Sequence, residues 1–406
     1  MTEYYYNNFL TKIADLGDPR NLIYIPDTFI GHIYDFGNYS IFCLIFYFFY
    51  KKNKISKNFF MILCLLMLTP FLFNNSILSW ELSPDQNKYV RTSSLMRTYG
   101  IEYFMIYTPY ILTQSLSQIK MISADLFFAL SPLITMDTVK SIGFLNRFLL
   151  LSTATIMLQK KKITHLIFLV TVLSPGLTYY SSVSLREMLI LLSMVWSVYF
   201  FSEKKYFIFS LVIFYTFLLK YQNALIVLSF VFLYYLFFTK NKLIFKSLIL
   251  LIFLGLFVHF LEPILLMYNN LRAGLFSEAY GHYKGITSAA AYQNLEINML
   301  SLFVIIKSSF NFITSPMLNL YGTLNIVFFI ETVMLYIFLY NRFHEMSKNN
   351  TLMAFLWFIV LLFSFLIYGT IIFNDGTIYR YRLIIIYFII YSVSIYQKKQ
   401  DKKNFV

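Results

Sequence analysis

Residues 352–367 read LMAFLWFIVLLFSFLI, an unbroken apolar run with no charged side chain and a single hydroxyl, at Ser364. A run of this length and composition reads as a membrane helix. It is one of a series that includes Ile163 to Tyr180, Met188 to Phe201, Leu225 to Phe238, Leu248 to Phe260 and Val327 to Leu339. Long continuous runs exclude a porin-like barrel, whose strands are short and alternate in polarity. Across all 406 residues the charged fraction is 13%, against about 25% for soluble domains. No large soluble domain fits that figure. The expectation is an all-α, polytopic transmembrane bundle of about 10–13 spans, with residues 1–406 forming a single integral membrane domain. The first stretch, Met1 to Ile33, has no basic segment followed by an apolar core and does not read as a cleavable signal peptide.

Lysines orient the chain. They cluster at Lys51, Lys52, Lys54 and Lys57, at Lys160 to Lys162, at Lys204 and Lys205, at Lys240, Lys242 and Lys246, and at Lys398, Lys399, Lys402 and Lys403. Each cluster abuts an apolar run, and the positive-inside rule puts each in the cytoplasm. The net charge of +14 is thereby assigned to cytoplasmic lysines rather than to a nucleic-acid surface. Helix 163–181 then runs outward and 183–201 returns; 206–219 and 223–239 form the next pair. Residues 243–268 lead to an outer loop at 269–298. The stretch 299–320 is read as interfacial or re-entrant. Segment 322–341 returns, 351–373 goes out, and 382–396 brings the C-terminus back inside. Residues 103–136 are either two crossings or one re-entrant pair. No inverted internal repeat is visible. Cys43 and Cys64 both lie in apolar runs and read as unpaired thiols.

With this topology, eight of the nine arginines (Arg20, Arg91, Arg97, Arg147, Arg186, Arg272, Arg380 and Arg382) fall at the outer side, and only Arg342 falls inside. Guanidinium groups bind phosphate bidentately and keep their charge beside apolar matter. Such a cluster suits a lipid pyrophosphate, or else lipid headgroups generally.

Four short motifs share that side. Ser83-Pro84-Asp85-Gln86-Asn87-Lys88-Tyr89 offers Asp85 as a general base for a sugar hydroxyl; the alternative is a solvated loop aspartate. Ser181-Ser182-Val183-Ser184-Leu185-Arg186-Glu187 opens an apolar helix with adjacent opposite charges. Neighbours on a helix point about 100° apart, so each needs its own partner. Lys220-Tyr221-Gln222-Asn223 is a tight turn that puts Lys220 at membrane level, as a ligand or as a snorkelling side chain. Asn374-Asp375-Gly376-Thr377-Ile378-Tyr379-Arg380-Tyr381-Arg382 enters the last span. There the two arginines diverge if helical and align if extended. Glu81 and Glu102 are weaker acid–base candidates. In the outer loop, His282 stands among Glu278, Tyr280, Tyr283, Lys284, Tyr292 and Glu296 as a proton carrier at an acceptor site. Lys307, Asn311 and Glu331 are polar groups placed to line a cavity. No nucleotide-binding loop, zinc spacing or lipase elbow is present, and neither cofactor nor metal is expected.

At Pro84-Asp85-x-x-x-Tyr89, Ser184-Leu185-Arg186-Glu187 and Asn374-x-Gly376-Thr377-x-x-Arg380-Tyr381-Arg382, the chain resembles bacterial envelope-polysaccharide proteins with a glycosyltransferase-C-like membrane fold. These include Wzy-type O-antigen polymerases and EpsG-like polymerases. The resemblance implies a multi-pass protein of the bacterial cytoplasmic (inner) membrane. It further implies a polyprenyl-pyrophosphate-linked oligosaccharide as donor, the lipid bilayer as setting, and a chain-length regulator as a partner. Under it Asp85 is the base, Arg186, Arg380 and Arg382 hold pyrophosphate, and Glu187, Lys220, Arg272 and His282 complete the substrate-binding set. The Arg-x10-Gly spacing of some Wzy polymerases is absent. A transferase using polyprenyl-phosphate sugars and a polysaccharide flippase are the alternatives.

Overall fold

The computed structural model describes residues 29–73, 85–114, 116–136, 138–238, 294–296, 298–314, 323–372 and 375–403, with scattered positions between 247 and 273. The described residues are helical or connecting, with no strand among them. They divide into two compact units, 1–221 and 222–406.

In the first unit the helices are α1 (Phe29–Lys51), α2 (Lys57–Leu66), α3 (Thr69–Leu72), α4 (Asp85–Gln114), α5 (Leu116–Ala129), α6 (Ser141–Gln159), α7 (His165–Leu173), α8 (Pro175–Ser182), α9 (Glu187–Ser202) and α10 (Tyr206–Leu219). The second unit holds α11 (Tyr221–Phe238, its first residue at the boundary), α12 (Met299–Thr314), α13 (Thr323–Asn349), α14 (Thr351–Gly369) and α15 (Asp375–Lys403). Among the described residues five helices are long and apolar enough to cross a membrane, or six if the bent pair α8–α9 counts as one span. They are α6, α11, α14 and the greater part of α13 and α15. Neither α4 nor α5, which cover most of the ambiguous stretch 103–136, is among them.

The three lysine turns of the first unit are built alike. Asn53, Lys161 and Lys204 each adopt positive φ, near 51°, 56° and 59°. In each turn the next amide reaches back five residues: Lys54 to the carbonyl of Phe49, Lys162 to that of Met157, and Lys205 to that of Phe200. This is the Schellman closure that consumes the last carbonyls of a helix. Gln159 donates to the carbonyl of Lys54, and Lys162 pairs with Glu203. The three basic turns therefore meet at one end of the unit, as the lysine-based topology requires.

The helices leaving the first two turns share more. Lys54-Ile55-Ser56 and Lys162-Ile163-Thr164 both end in a hydroxyl N-cap, Ser56 accepting from the amide of Phe59 and Thr164 from that of Ile167. Both helices then stop before a Ser/Thr-Pro step. One stops ahead of Thr69-Pro70, the other at Ser174-Pro175, where Ser174 caps α8 by accepting from the amide of Leu177. Proline has no amide to donate and disfavours a helical residue before it. The run 163–181, expected as one helix, is therefore broken at Ser174, and α8 meets α9 at a bend of 112°. Corresponding pieces pack on each other, α1 on α6, α3 on α8 and α5 on α10. The first unit thus runs through the same sequence of lysine turn, hydroxyl-capped helix and proline break twice.

Arg147 closes both breaks. It is fully buried in α6, about 20 Å along the axis from Lys160. Its guanidinium donates to the carbonyl of Leu66, at the end of α2, at 3.1 Å, and to that of Val172, near the end of α7, also at 3.1 Å. It donates as well to the hydroxyl of Ser181 at 3.1 Å. A cation at helix C-termini satisfies orphan carbonyls and complements the helix dipole.

In the second unit α15 is buried all round from Leu383 to Tyr396, as expected for a helix apolar on every face. It packs against α12, α13 and α14. Phe230 stacks on Trp357 at 4.0 Å, with Tyr396 against both. Gly369 lets α14 touch α12, since a Cβ there would lie 2.6 Å from Cα of Ser309. Gly369→Ala is expected to cost about 2 kcal/mol, read as a lower thermal midpoint in detergent.

Candidate functional site

In the first unit the segment Ser181–Glu187 is tied down along its length. Nδ2 of Asn146 donates to the carbonyls of Val183 at 3.0 Å and Leu185 at 2.6 Å. The amide of Ser184 donates to Oε1 of Gln86 at 3.0 Å, and its hydroxyl to the carbonyl of Val139. Gly143 makes the approach possible, because a Cβ there would meet the carbonyl oxygen of Ser182 at 2.3 Å. The strap so fixed ends at Arg186, the N-cap of α9, and Glu187, its first residue. The two side chains part, as their spacing requires. The Arg186 guanidinium lies 6.0 Å from the ring centroid of Tyr89, while Glu187 is buried.

Asp85, Tyr89 and Ser93 are spaced four apart on α4 and share one face. Asp85 is exposed in the first turn, where a carboxylate suits the helix dipole. Tyr89 and Ser93 are buried, with Phe128 of α5 edge-on to the Tyr89 ring at 6.3 Å. The hydroxyl of Ser93 donates to Oδ1 of Asp125, 3.4 Å away on α5. Asp125 is 1% exposed, and its Oδ2 has no hydrogen-bond partner among the described residues. Burial pushes the Asp125 carboxyl well above the usual carboxylate range, against the pull of Arg186, Lys88 and the Ser93 hydroxyl. Burial likewise raises the Tyr89 phenol; Arg186 opposes this, while Glu187, Asp85 and Asp125 add to it. The charges of Arg186, Glu187, Asp85 and Asp125 thus all act on one phenol.

This assembly joins two of the sequence motifs, Asp85 to Tyr89 and Ser184 to Glu187, across about a hundred residues of chain. Asp125 was not among the sequence candidates. Its signal was an acidic residue inside the short, mostly apolar run 116–129, the kind of position where a charge asks for a reason. Lys220 is buried in the one-residue extended break between α10 and α11.

The second-unit candidates are arranged differently. Arg382 is buried and donates to the carbonyls of Phe312 at 3.1 Å and Ile313 at 2.9 Å, in the last turn of α12, and to the Thr332 hydroxyl at 3.1 Å. Arg272 is buried and donates through Nε to the carbonyl of Thr370, the C-cap of α14, at 2.8 Å. Both repeat what Arg147 does in the first unit. The helix α15 already begins at Asp375, ahead of the expected 382, so Arg380 and Arg382 are helical and diverge. Arg380 is half-buried, 5.3 Å from the centroid of the Tyr381 ring. Glu331 is buried and accepts from the Tyr379 hydroxyl; Lys307 is exposed. His282, Arg20, Glu81 and the loop residues from Glu278 to Tyr292 lie outside the described residues, as does the side chain of Glu102.

Fold and composition together define a multi-pass, all-α membrane protein. No known protein family, no curated protein and no solved structure matches the chain.

Proposed function

We propose that this protein is a glycosyltransferase-C-like polymerase of envelope polysaccharide, acting at the outer face of the bacterial cytoplasmic membrane. Its donor is a polyprenyl-pyrophosphate-linked oligosaccharide. The observation that carries the reading is the grouping of Lys88, Tyr89 and the exposed Asp85 at the start of α4 with Arg186 and Glu187 at the start of α9, joined through Gln86 and the Arg186–Tyr89 contact. Asp85 takes the proton of an acceptor hydroxyl, and that oxygen attacks the anomeric carbon of the donor. The bond from that carbon to the phosphate oxygen breaks, and the electron pair leaves with the pyrophosphate. Fixed positive charge at the leaving group lowers the barrier, and Arg186 with Lys88 supplies it here. Arg272 and Arg382 hold helix ends in this reading rather than phosphate.

A second reading, a polysaccharide flippase, draws support from the paired helix breaks of the first unit, since secondary transporters often carry repeated, interrupted helices. The two separate in the polysaccharide ladder of a deletion strain complemented with wild type, Asp85→Ala, Arg186→Gln or Arg380→Ala. The polymerase leaves lipid core capped with one repeat unit on deletion. Asp85→Ala at normal membrane levels then fails to restore the ladder, consistent with a loss of about 10²–10⁴ in rate for a missing general base. Loss of even the single capped unit on deletion would assign an earlier step, as flippase or single-sugar transferase.

A further inference from the structure

The chain has two cysteines, Cys43 and Cys64, and both are free and half-buried. Cys43 lies on α1 and Cys64 on α2, which run antiparallel across the turn at 52–56 and pack on each other. The register of this hairpin is fixed at two levels. Towards the lysine turn, the ring of Phe60 lies 6.1 Å from that of Tyr47 and stacks on that of Tyr50 at 5.9 Å. Further from the turn, the hydroxyl of Tyr39 donates to the carbonyl of Cys64 at 3.3 Å. Tyr39, Cys43 and Tyr47 are spaced four apart and share one stripe of α1, as Phe60 and Cys64 do on α2. One turn along each helix from the Tyr47–Phe60 contact therefore brings Cys43 opposite Cys64. Their thiols are in hydrogen-bonding contact there, and the Tyr39 hydroxyl reaches the Cys43 thiol as well.

Facing Cα atoms of helices packed about 8–10 Å apart come within about 4–6 Å of each other. A disulfide bridges Cα atoms about 4.4–6.8 Å apart, so facing positions suit it. The surroundings suit it too. Phe42 and Leu63, the sequence neighbours of the two cysteines, are fully buried, and a disulfide brings no charge among apolar side chains. The pair stands about 10–12 Å along the helices from the lysine turn, within reach of a small apolar reagent.

We infer that Cys43 and Cys64 are a dithiol modification site, which a small molecule of the R–S–S–R class converts to an intramolecular disulfide that fastens α1 to α2. One cysteine sulfur attacks a sulfur of the reagent, forming a mixed disulfide and releasing one R–SH. The other cysteine sulfur then attacks the first, closing the Cys43–Cys64 bond and releasing the second R–SH. The two cysteine protons end on the two released thiols; the cysteines are oxidised by two electrons and the reagent is reduced by two. The bond joins two anchors of the unit. From α1, Asn38 holds Ile134 and Thr135, and Asp35 accepts from the hydroxyl of Thr138. At the other side, α2 ends at the Leu66 carbonyl that Arg147 holds. The inference does not depend on the proposed function.

The test uses the purified full chain in lipid nanodiscs, first reduced and freed of reductant, then treated with excess dithiodipyridine, a small aromatic disulfide. Wild type is expected to release two pyridinethiones per chain and to lose the mass of two hydrogens, with no pyridyl adduct left. Cys43→Ser and Cys64→Ser should each release one and keep one adduct. The oxidised wild type should also unfold at a higher temperature than the reduced form, since the bond restricts the unfolded chain; the same treatment should give Cys43→Ser no such rise.

A wild type carrying two pyridyl adducts would show that the thiols cannot meet, and would overturn the site. Covalent dimers on a non-reducing gel would place the bond between chains and overturn it as well. So would a folded chain that releases nothing while the unfolded chain reacts fully. Should the serine variants fail to accumulate, the mass of treated wild type decides alone.

Discussion

Arg147→Met should lower stability by about 3–5 kcal/mol, since it removes three charge-assisted hydrogen bonds of about 1.5–3 kcal/mol each and returns part of the cost of burying the cation. Three acceptors lose the guanidinium at once, the carbonyls of Leu66 and Val172 and the hydroxyl of Ser181, and the two carbonyls keep only the hydroxyls of Thr69 and Thr178. The two carbonyls sit where α2 and α7 end, and no continuing helix can supply amides, because Pro70 and Pro175 follow close behind. Methionine fills a similar volume, so packing is nearly kept and the effect reports the guanidinium. Arg147→Lys keeps the charge but has one nitrogen to reach acceptors lying in different directions, and should fall between. Thermal unfolding in detergent, with membrane accumulation in cells, measures both. A methionine variant within about 1 kcal/mol of wild type would mean that water or another donor replaces the arginine, a small change on the scale of single substitutions.

Gly143→Ala is expected to act on stability and on the site together. The added methyl would sit 2.3 Å from the carbonyl oxygen and 2.8 Å from the carbonyl carbon of Ser182. Both are backbone atoms of the strap, held by Asn146 on the next residues, so neither can swing aside as a side-chain tip would. Forcing them apart should cost about 1–3 kcal/mol. The displacement would pass along the strap to Ser184, Arg186 and Glu187. The expected result is a lower thermal midpoint and a shortened polysaccharide ladder at normal membrane levels. An unchanged midpoint would show that α6 and the strap are not in close contact.

How far the site could be read from sequence differs by residue. Asp85, Arg186 and Glu187 were visible because a charge beside an apolar run is conspicuous. Asp125 is inconspicuous because its run is short and already mixed, carrying Lys120 as well. The arginines show a different limit. Their clustering at expected outer helix ends suggested phosphate, whereas Arg147, Arg272 and Arg382 donate to carbonyls near the ends of α2 and α7, α14 and α12. A guanidinium meets a phosphate oxygen and a terminal helix carbonyl by the same donors, and composition does not separate them.

By itself the sequence determined the class of fold and that the lysine turns of the first unit gather at one end. Both depend on the free energy of transferring whole segments between water and lipid, a quantity summed over local composition. Tertiary structure alone decided that the run 163–181 breaks at Ser174, and that Asp85, Tyr89, Asp125 and Arg186 share one place. It also decided that the buried arginines hold helix ends. These depend on which orphan carbonyl or unpaired charge meets which donor across a hundred residues of chain, and that pairing exists only once the helices have packed.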